Sequence, residues 1–464
     1  MRRLLTLLTA AGAALIGLAP AASAAPDHHC DATGTAYTYV VLYTPGIPRF
    51  AADAELRLDC GSLVEYYPEI GVAVATSAAP DFADKIGPYR AYSGRKDVPA
   101  ATVRSASQES VRESLRAAVP AVDRSAEQWD MDLIKAKQAN KVNEGSRRVV
   151  VGVLDSGLDA AHPEFAKAAD PADSAGCLTG KADPSPDAWK PTTSAHGTHV
   201  AGTIAAADDG SGVTGIAPNV RLAAVKVVSD DGFIFPESAV CAFVWAGKHH
   251  FAVTNSSYFV DPGFYFCRNK PGDAAAYEAI RRAVAFATGR GVLNVAAAGN
   301  EAMDIANPTK DTVRTHPVDK NCAVLPAGLP DVVSVTAVGY GGAMSSYSDW
   351  GKVDVTAPGG DRAQIPPAGS GTSCPLSTLP GGGYGTMCGT SMASPHVVGV
   401  AALLASTHPW ASPAQLRGLL RSEATPIACP AATTTCTGPA GNNSYYGHGL
   451  VNALAAVTAN TVTR

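Results

Sequence analysis

Three polar residues stand in short motifs whose neighbours could bring them to one reactive centre. Asp155 directly follows the apolar run at residues 148–154, His196 opens a run of small residues, and Ser391 lies between a glycine-rich loop and a long apolar segment. A serine hydroxyl is a weak nucleophile at neutral pH, so it needs a base within hydrogen-bond reach and a group that orients that base. An aspartate, a histidine and a serine together supply this chemistry, which is acyl transfer.

Taken singly, each motif has a plainer structural interpretation. Asp155 could cap a turn before Gly157, and Ser391 could serve only as the N-cap of a helix. His196 and His199 could bind a metal ion, but the adjacent glutamate of a His-Glu-x-x-His zinc site is missing. The sequence therefore favours a catalytic centre only when the three motifs are considered together.

Residues 155–157, 196–202 and 389–396 together resemble the motifs of the subtilisin-like serine proteases. They stand in the order aspartate, histidine, serine, which differs from the order in chymotrypsin-like enzymes and in α/β-hydrolases. The resemblance implies a serine endopeptidase that hydrolyses peptide bonds through an acyl-enzyme intermediate. The aspartate, histidine and serine named above would form its catalytic triad.

The resemblance extends over most of residues 120–457 and implies further site residues. Asn300 matches the residue whose side-chain amide donates to the oxyanion of the tetrahedral intermediate, although it could also be a turn residue after a glycine. Three more residues are implied to line the substrate-binding cleft, namely Ser257, Ala297 and Gly299.

The stretch after Ser257 departs from the family pattern. Bulky residues at 258–266 stand where small residues and glycines are usual, so the resemblance does not define the preferred residue at the first substrate position. The aromatic residues could contact the substrate or pack around a disulfide at Cys267. Packing is favoured, because clustered aromatic residues are more often buried than exposed in a binding site.

Two other functions are consistent with parts of the sequence. A catalytically silent homologue could use the cleft only to hold peptides, but the triad and the oxyanion residue are all intact. An esterase or lipase of the α/β-hydrolase type requires a Gly-x-Ser-x-Gly turn, whereas Ala393 fills its last position here. We therefore expect an extracellular serine endopeptidase that is made as a self-processing zymogen.

The elements that must position these residues alternate between short strands and helices. Five valine-rich runs predict strands buried on both faces: residues 148–154, 222–228, 251–255, 291–297 and 332–338. Six segments predict helices: residues 131–139, 197–207, 236–249, 273–288, 391–406 and 413–422. Because helices between buried strands imply parallel pairing, we predict an α/β three-layer sandwich with a mostly parallel central sheet.

The start of the chain predicts a secreted precursor. Residues 1–24 combine a basic start, an apolar run and a small-residue cleavage site, as in a secretory signal peptide. Residues 25–120, with strands expected at 37–43 and 70–75, resemble the propeptide of the family, a small α+β unit that assists folding and blocks the cleft. An independent binding domain that stays attached is the alternative.

A connector at residues 105–130 ends the propeptide, because its composition shifts to alanine, serine, glutamate and arginine, which is typical of a solvated and cleavable segment. We place the domain boundary near residues 118–126 and the peptidase domain at residues 121–464.

Composition limits the partners. Hydrophobic residues make up 46% and charged residues 17% of the chain, with a net charge of −5, which disfavours a disordered chain and nucleic-acid binding. We expect a secreted monomer that acts on protein or peptide substrates, binds its own propeptide and has no membrane anchor. Catalysis would require no cofactor; family members often bind structural calcium, but no ligand set for it can be assigned here.

Ten cysteines in an exported chain favour disulfides over metal thiolates. Cys429 with Cys436, and Cys374 with Cys388, flank short loops that a disulfide could close. Cys388 is also close enough to the reactive serine for a catalytic thiol to be considered, but a disulfide is favoured. Two further cysteines, Cys30 and Cys60, lie together in the N-terminal region.

Overall fold

The computed structural model describes Cys30, residues 34–98 and residues 122–458. The predicted signal peptide and most of the predicted connector at residues 105–130 lie outside these residues. We refer to residues 34–98 with Cys30 as the N-terminal unit and to residues 122–458 as the C-terminal unit.

The N-terminal unit is a four-stranded antiparallel sheet with two helices packed on one face, which confirms its predicted α+β architecture. The sheet order is β2-β3-β1-β4. Its elements are β1 (Tyr37–Leu42), α1 (Arg49–Leu58), β2 (Ser62–Tyr67), β3 (Val72–Ser77), α2 (Phe82–Ile86) and β4 (Ala91–Tyr92). Side chains alternate across each strand, so Tyr39 and Val41 pack under the helices while Val40 and Val74 pack against the C-terminal unit.

The C-terminal unit is built on a seven-stranded sheet with parallel pairing throughout. The strands of the whole C-terminal unit, including four outside this sheet, are β5 (Val150–Asp155), β6 (Ala175–Gly176), β7 (Arg221–Lys226), β8 (Val253–Ser256), β9 (Phe266–Cys267), β10 (Leu293–Ala297), β11 (Cys322–Ala323), β12 (Val332–Val338), β13 (Val355–Pro358), β14 (Leu376–Leu379) and β15 (Gly383–Thr386). The central sheet has the order β13-β12-β10-β8-β5-β7-β6, while β9 pairs with β11 and β14 with β15.

Helices cover both faces of this sheet. They are α3 (Trp129–Leu133), α4 (Ala136–Asn140), α5 (Pro186–Trp189), α6 (His196–Ala205), α7 (Pro236–Lys248), α8 (Asp273–Gly289), α9 (Thr390–Thr407), α10 (Pro413–Ser422) and α11 (Ala453–Thr458). One apolar cluster joins the sheet to α6 and α9, and a second joins its other face to α7 and α8. The predicted three-layer α/β sandwich is therefore confirmed.

One predicted helix is wrong, and the predicted connector extends too far along the chain. Residues 131–139 form two short helices rather than one, because Lys135 adopts a positive φ of 61° between α3 and α4. The end of the predicted connector is also part of the core: Trp129 and Asp130 are buried, and Asp130 Oδ2 lies 3.0 Å from His396 Nε2. The C-terminal unit thus begins to pack before residue 131.

All ten cysteines form disulfides. The pairs are Cys30–Cys60, Cys177–Cys241, Cys267–Cys322, Cys374–Cys388 and Cys429–Cys436. The two loop-closing pairings that the sequence suggested, Cys374–Cys388 and Cys429–Cys436, are confirmed, and a catalytic thiol at Cys388 is excluded. Within the described ranges, no helix combines the length and the hydrophobicity needed to cross a bilayer.

Candidate functional site

One cleft gathers every site residue that the sequence predicted. Its cavity of about 330 Å³ lies where the carboxyl ends of β5, β8 and β10 meet the start of α9, as expected for a ligand crevice in a parallel α/β sheet. The predicted residues that line it are Asp155, His196, Ser257, Ala297, Gly299, Asn300 and Ser391.

Asp155 and His196 form a buried hydrogen-bonded pair. Asp155 is the last residue of β5, and His196 is the first residue of α6. Nδ1 of His196 lies 2.7 Å from Oδ1 of Asp155, and both side chains are almost fully buried. The same carboxylate oxygen accepts the N–H of Ser156 at 2.7 Å, so Asp155 contacts both the imidazole and the backbone that follows β5.

Ser391 is fixed in the first turn of α9. The N-cap of this helix is Gly389, so the alternative that Ser391 is merely the N-cap is wrong. The hydroxyl of Ser391 donates to the carbonyl of Ser257 at 3.2 Å, and the hydroxyl of Ser257 donates to the carbonyl of Ser391 at 2.7 Å. These reciprocal bonds hold the start of α9 against the end of β8.

Asn300 is oriented by the residue that precedes the serine. Its Oδ1 accepts both the backbone N–H and the hydroxyl of Thr390, each at 2.8 Å. The amide nitrogen then points the other way: a Cβ placed on Gly389 would lie 3.6 Å from Nδ2 of Asn300 and from Cβ of Ser391. An N–H donor is therefore held beside the serine by a bond that fixes which end of the amide faces the cleft.

Asp349 fixes the backbone on both sides of Asn300. Its Oδ1 accepts the N–H of Glu301 at 3.1 Å and that of Met303 at 2.8 Å, and its own N–H donates to the carbonyl of Gly299 at 3.0 Å. The other carboxylate oxygen is buried without a hydrogen-bond partner in the described part of the chain. Burial raises the pKa of Asp349 well above its usual range.

The aromatic stretch after Ser257 both packs and lines the cleft. Phe264, Tyr265 and Phe266 are fully buried, which confirms the predicted packing for these residues. Phe259 instead lines the cavity, with its ring 5.0 Å from that of Phe264. The ring of Phe259 therefore takes up space at the wall of the cleft, and the buried ring of Phe264 packs against it.

Sequence reasoning missed two positioning residues of this site. Thr390 carried a signal, because it stands directly before the reactive serine. Asp349 follows β12 in the chain, and its contact with the loop around Asn300 joins positions far apart in the sequence. Such a contact has no local sequence pattern.

One cluster outside the cleft has the composition of a metal site. Cys267, Asp273 and His316 bring their ligand atoms close together. However, Cys267 is bonded to Cys322 and offers no thiolate, and the guanidinium of Arg314 donates to Asp273 at 2.9 Å. The cluster is therefore an ion-pair network beneath the aromatic wall.

Comparisons with known proteins agree with this geometry. Residues 146–449 match the model of the Subtilase family. Subtilisin E of Bacillus subtilis (strain 168) is 33% identical over 329 residues, which cover 71% of this chain and 70% of that protein. Subtilisin of Bacillus pumilus is also 33% identical over 329 residues, and these cover 98% of its length.

Solved structures show the same fold. The epidermin leader peptide processing serine protease (EpiP) from Staphylococcus aureus superposes with a TM-score of 0.69 over 93% of this chain and 100% of its own, at 20% identity. A protease from Pseudoalteromonas arctica gives a TM-score of 0.56 at 28% identity, covering 73% of this chain and 99% of its own. The chain belongs to the subtilase family and is a serine endopeptidase of the subtilisin type.

Proposed function

We propose that Ser391 is the nucleophile, His196 the general base and Asp155 the residue that orients the imidazole. One observation carries the assignment: the buried 2.7 Å hydrogen bond between Asp155 and His196 lies in a cavity that Ser391 also lines. The carboxylate holds the proton on Nδ1, so that Nε2 is free of a proton and can accept one.

The reaction follows from these roles. The hydroxyl oxygen of Ser391 attacks the carbonyl carbon of the scissile peptide bond while its proton passes to Nε2 of His196. The carbonyl π electrons move to oxygen, and the resulting oxyanion accepts hydrogen bonds from Nδ2 of Asn300 and the backbone N–H of Ser391. The imidazolium then protonates the amine nitrogen as the C–N bond breaks, which leaves the acyl group on Ser391. Water next attacks the ester carbonyl carbon while it gives a proton to Nε2 of His196, and the imidazolium returns a proton to the oxygen of Ser391 as the ester bond breaks.

The substitution Ser391→Ala tests the assignment. We expect kcat for a peptide substrate to fall by about 10⁶-fold, which is the loss that removal of the matching serine causes in subtilisin. Ser406→Ala, which removes another hydroxyl from α9, is the matched control and should retain activity. A fluorophosphonate should label the wild type and not Ser391→Ala. Undiminished proteolysis by Ser391→Ala would refute the mechanism, and an inert wild type would favour the silent peptide-binding homologue.

We further propose that the protein is a secreted zymogen. Residues 1–24 would direct export, residues 25–120 would act as a propeptide and connector, and residues 121–464 would be the peptidase domain. Support comes from five disulfides, which persist in oxidising compartments, and from the docking of the N-terminal unit on α7 and α8. Arg282 of α8, for example, donates to the carbonyls of Tyr43 and Ile70.

Self-processing is tested by expressing the wild type and Ser391→Ala with an export-competent host. The wild type should release a product whose N-terminal sequence begins near residues 118–126, whereas Ser391→Ala should retain the N-terminal unit. Release of the same product from the inactive variant would assign the cleavage to another protease. A wild type that keeps residues 34–98 would identify that unit as a permanent domain.

A further inference from the structure

The C-terminal unit holds a preformed site for a guanidinium group, and Arg95 of the N-terminal unit fills it. Nε of Arg95 donates to Oε1 of Glu237 at 3.0 Å, and Nη2 donates to the carbonyl of Leu178 at 3.2 Å. The guanidinium carbon lies 4.3 Å from the centre of the Phe235 ring. We call Glu237, Phe235 and the Leu178 carbonyl the arginine cradle.

Glu237 is buried where it pairs with the guanidinium of Arg95. The side chain of Glu237 is only 1% exposed, and among the described residues Arg95 is the one charged group within ion-pair distance of it. Burial raises the pKa of Glu237, and the charge of Arg95 acts in the opposite direction. A buried carboxylate is stabilised by a cation that pairs with it, so after the departure of Arg95 another guanidinium that enters the cradle would again favour the charged form of Glu237.

The cradle is rigid, and its shape selects arginine over lysine. The disulfide between Cys177 and Cys241 ties the loop that carries Leu178 to α7, which carries Glu237. Two acceptors and an aromatic face are arranged around one planar group. A guanidinium can use all three at once, whereas the ammonium of lysine lacks the fixed fork and the flat face.

The cradle is adjacent in the chain to residues that line the active-site cleft, because Phe235 directly follows Ile234. Gly232 and Ile234 line the same cavity as Ser391, and Glu237 follows three residues later. An extended peptide advances about 3.3 Å per residue, so a few substrate residues beyond Ile234 reach the cradle. The N-terminal unit already lies against this segment, since a Cβ on Gly94 would lie 2.9 Å from the Phe235 ring and 3.2 Å from the carbonyl of Asp261.

We propose that the arginine cradle is a remote substrate subsite, which binds an arginine side chain several residues from the scissile bond after Arg95 has left it. The inference rests on the proposed proteolysis. It assigns a preference that is independent of the residue at the scissile bond, and it gives Arg95 the role of a substrate mimic within the same chain.

The test measures kcat/KM for a series of peptides that share one cleavable core and carry a single arginine moved along the flanking positions. The enzymes are the full chain as purified, its Arg95→Ala variant and its Glu237→Gln variant. We expect one arginine position to raise kcat/KM by about 10-fold to 100-fold in Arg95→Ala, with a smaller gain for lysine. In Glu237→Gln the gain from arginine should disappear.

Controls separate the subsite from other effects. Glu144→Gln removes a carboxylate that bonds to Asn219, and should keep the full arginine preference. A wild type with a weaker preference than Arg95→Ala indicates that Arg95 still occupies the cradle, as proposed. Equal kcat/KM for all arginine positions in Arg95→Ala, or an unchanged preference in Glu237→Gln, would overturn the subsite. Failure of the wild type to cleave even the arginine-free peptide after release of its N-terminal unit would instead overturn the proposed function.

Discussion

Two buried aspartates, five residues apart, are accommodated in opposite ways. Asp349, behind the loop that carries Asn300, accepts backbone N–H groups from Glu301 and Met303, and its pKa is raised. Asp354, at the far edge of the sheet, accepts from Arg417 at 2.8 and 2.9 Å and also from Arg421 and the N–H of Ser334. Burial acts to raise the pKa of Asp354, but the arginines outweigh it, and its pKa lies below the ordinary value.

The two aspartates therefore serve different purposes: Asp349 positions the loop of Asn300, whereas Asp354 stabilises the fold. At the edge of the sheet the fold compensates a buried charge fully, because nothing there has to remain accessible. At the cleft the fold orients Asn300 with a carboxyl group that lacks a counter-ion. Side chains around the cleft should therefore affect activity more than stability, and those around Asp354 the reverse.

The largest effect should come from Asp155→Asn. The amide can keep the contact with His196 but favours the wrong tautomer, so kcat should fall by about 10⁴-fold while the melting temperature stays close to that of the wild type. Asp159→Asn, a nearby carboxylate that bonds to loop amides, is the control for loss of charge. A loss of stability as large as the loss of activity would show that the cleft and the edge do not differ in this way.

Asn300→Ala should give the next largest effect on catalysis. Loss of the Nδ2 donor should lower kcat by about 10²-fold to 10³-fold, with KM nearly unchanged, as removal of the matching asparagine does in subtilisin. Asn307→Ala, in the same loop, is the control because its side chain donates to Asp304, away from the catalytic residues. A change confined to KM would mean that Asn300 binds substrate without stabilising the oxyanion.

Asp354→Asn should have the opposite effect, lowering the stability of the fold while kcat stays close to that of the wild type. We expect the free energy of unfolding at pH 7 to fall by about 2–3 kcal/mol, less than for a fully buried pair because both arginines are partly exposed. Because the pKa of Asp354 is lowered in the folded state, its ionised carboxylate stabilises the fold at pH values above the unfolded pKa of about 3.9. This stabilisation is lost as the pH falls through the pKa of the folded state. Urea unfolding is measured on proteins that also carry Ser391→Ala, which prevents self-digestion. The free energies of unfolding with Asp354 and with Asp354→Asn should become more similar in acid.

Asp187→Asn provides the control for this measurement. Its carboxylate pairs with Lys190 on the surface, and the pair should contribute less than about 1 kcal/mol at any pH. If Asp354→Asn lowered kcat while the protein remained folded, the edge of the sheet would be coupled to the cleft.

The contrast between these regions also explains how much could be predicted from the sequence. Strands buried on both faces are recognisable because apolar residues fill both sides, and β12 has the predicted bounds of residues 332–338. α10 also has its predicted bounds, because Ser412 forms a capping box with Gln415 and a proline begins the helix. The gathering of Asp155, His196 and Ser391 in one cleft was predictable, because each lies in a local motif at the end of an element.

Other features lacked a local signal. The break at Lys135 involves neither glycine nor proline, so nothing in residues 131–139 indicated it. The contact of Asp349 with the Asn300 loop and the pairing of Arg95 with Glu237 join distant parts of the chain. Long-range polar contacts depend on how the layers pack, and composition or periodicity does not encode that.

The smallest predicted effect concerns Asp349→Asn and separates the two aspartates most directly. With a raised pKa the folded protein binds more protons than the unfolded chain, so the free energy of unfolding should fall as the pH rises from about 3.9 through the raised pKa. The slope from this group is at most about 1.4 kcal/mol per pH unit, and the asparagine variant should lack it. Glu301 carries the nearest like charge and adds to this trend.

Urea unfolding between acid and neutral pH, again with Ser391→Ala, checks this slope, while kcat is measured in the active background. Oδ1 of asparagine still accepts the N–H groups of Glu301 and Met303, so Asp349→Asn should retain most of kcat. Asp349→Ala removes the acceptor, releases the Asn300 loop and should lower kcat more than KM. If the asparagine and wild-type proteins lost stability in parallel with rising pH, Asp349 would be ionised when folded, and its contrast with Asp354 would lie only in the choice of partner.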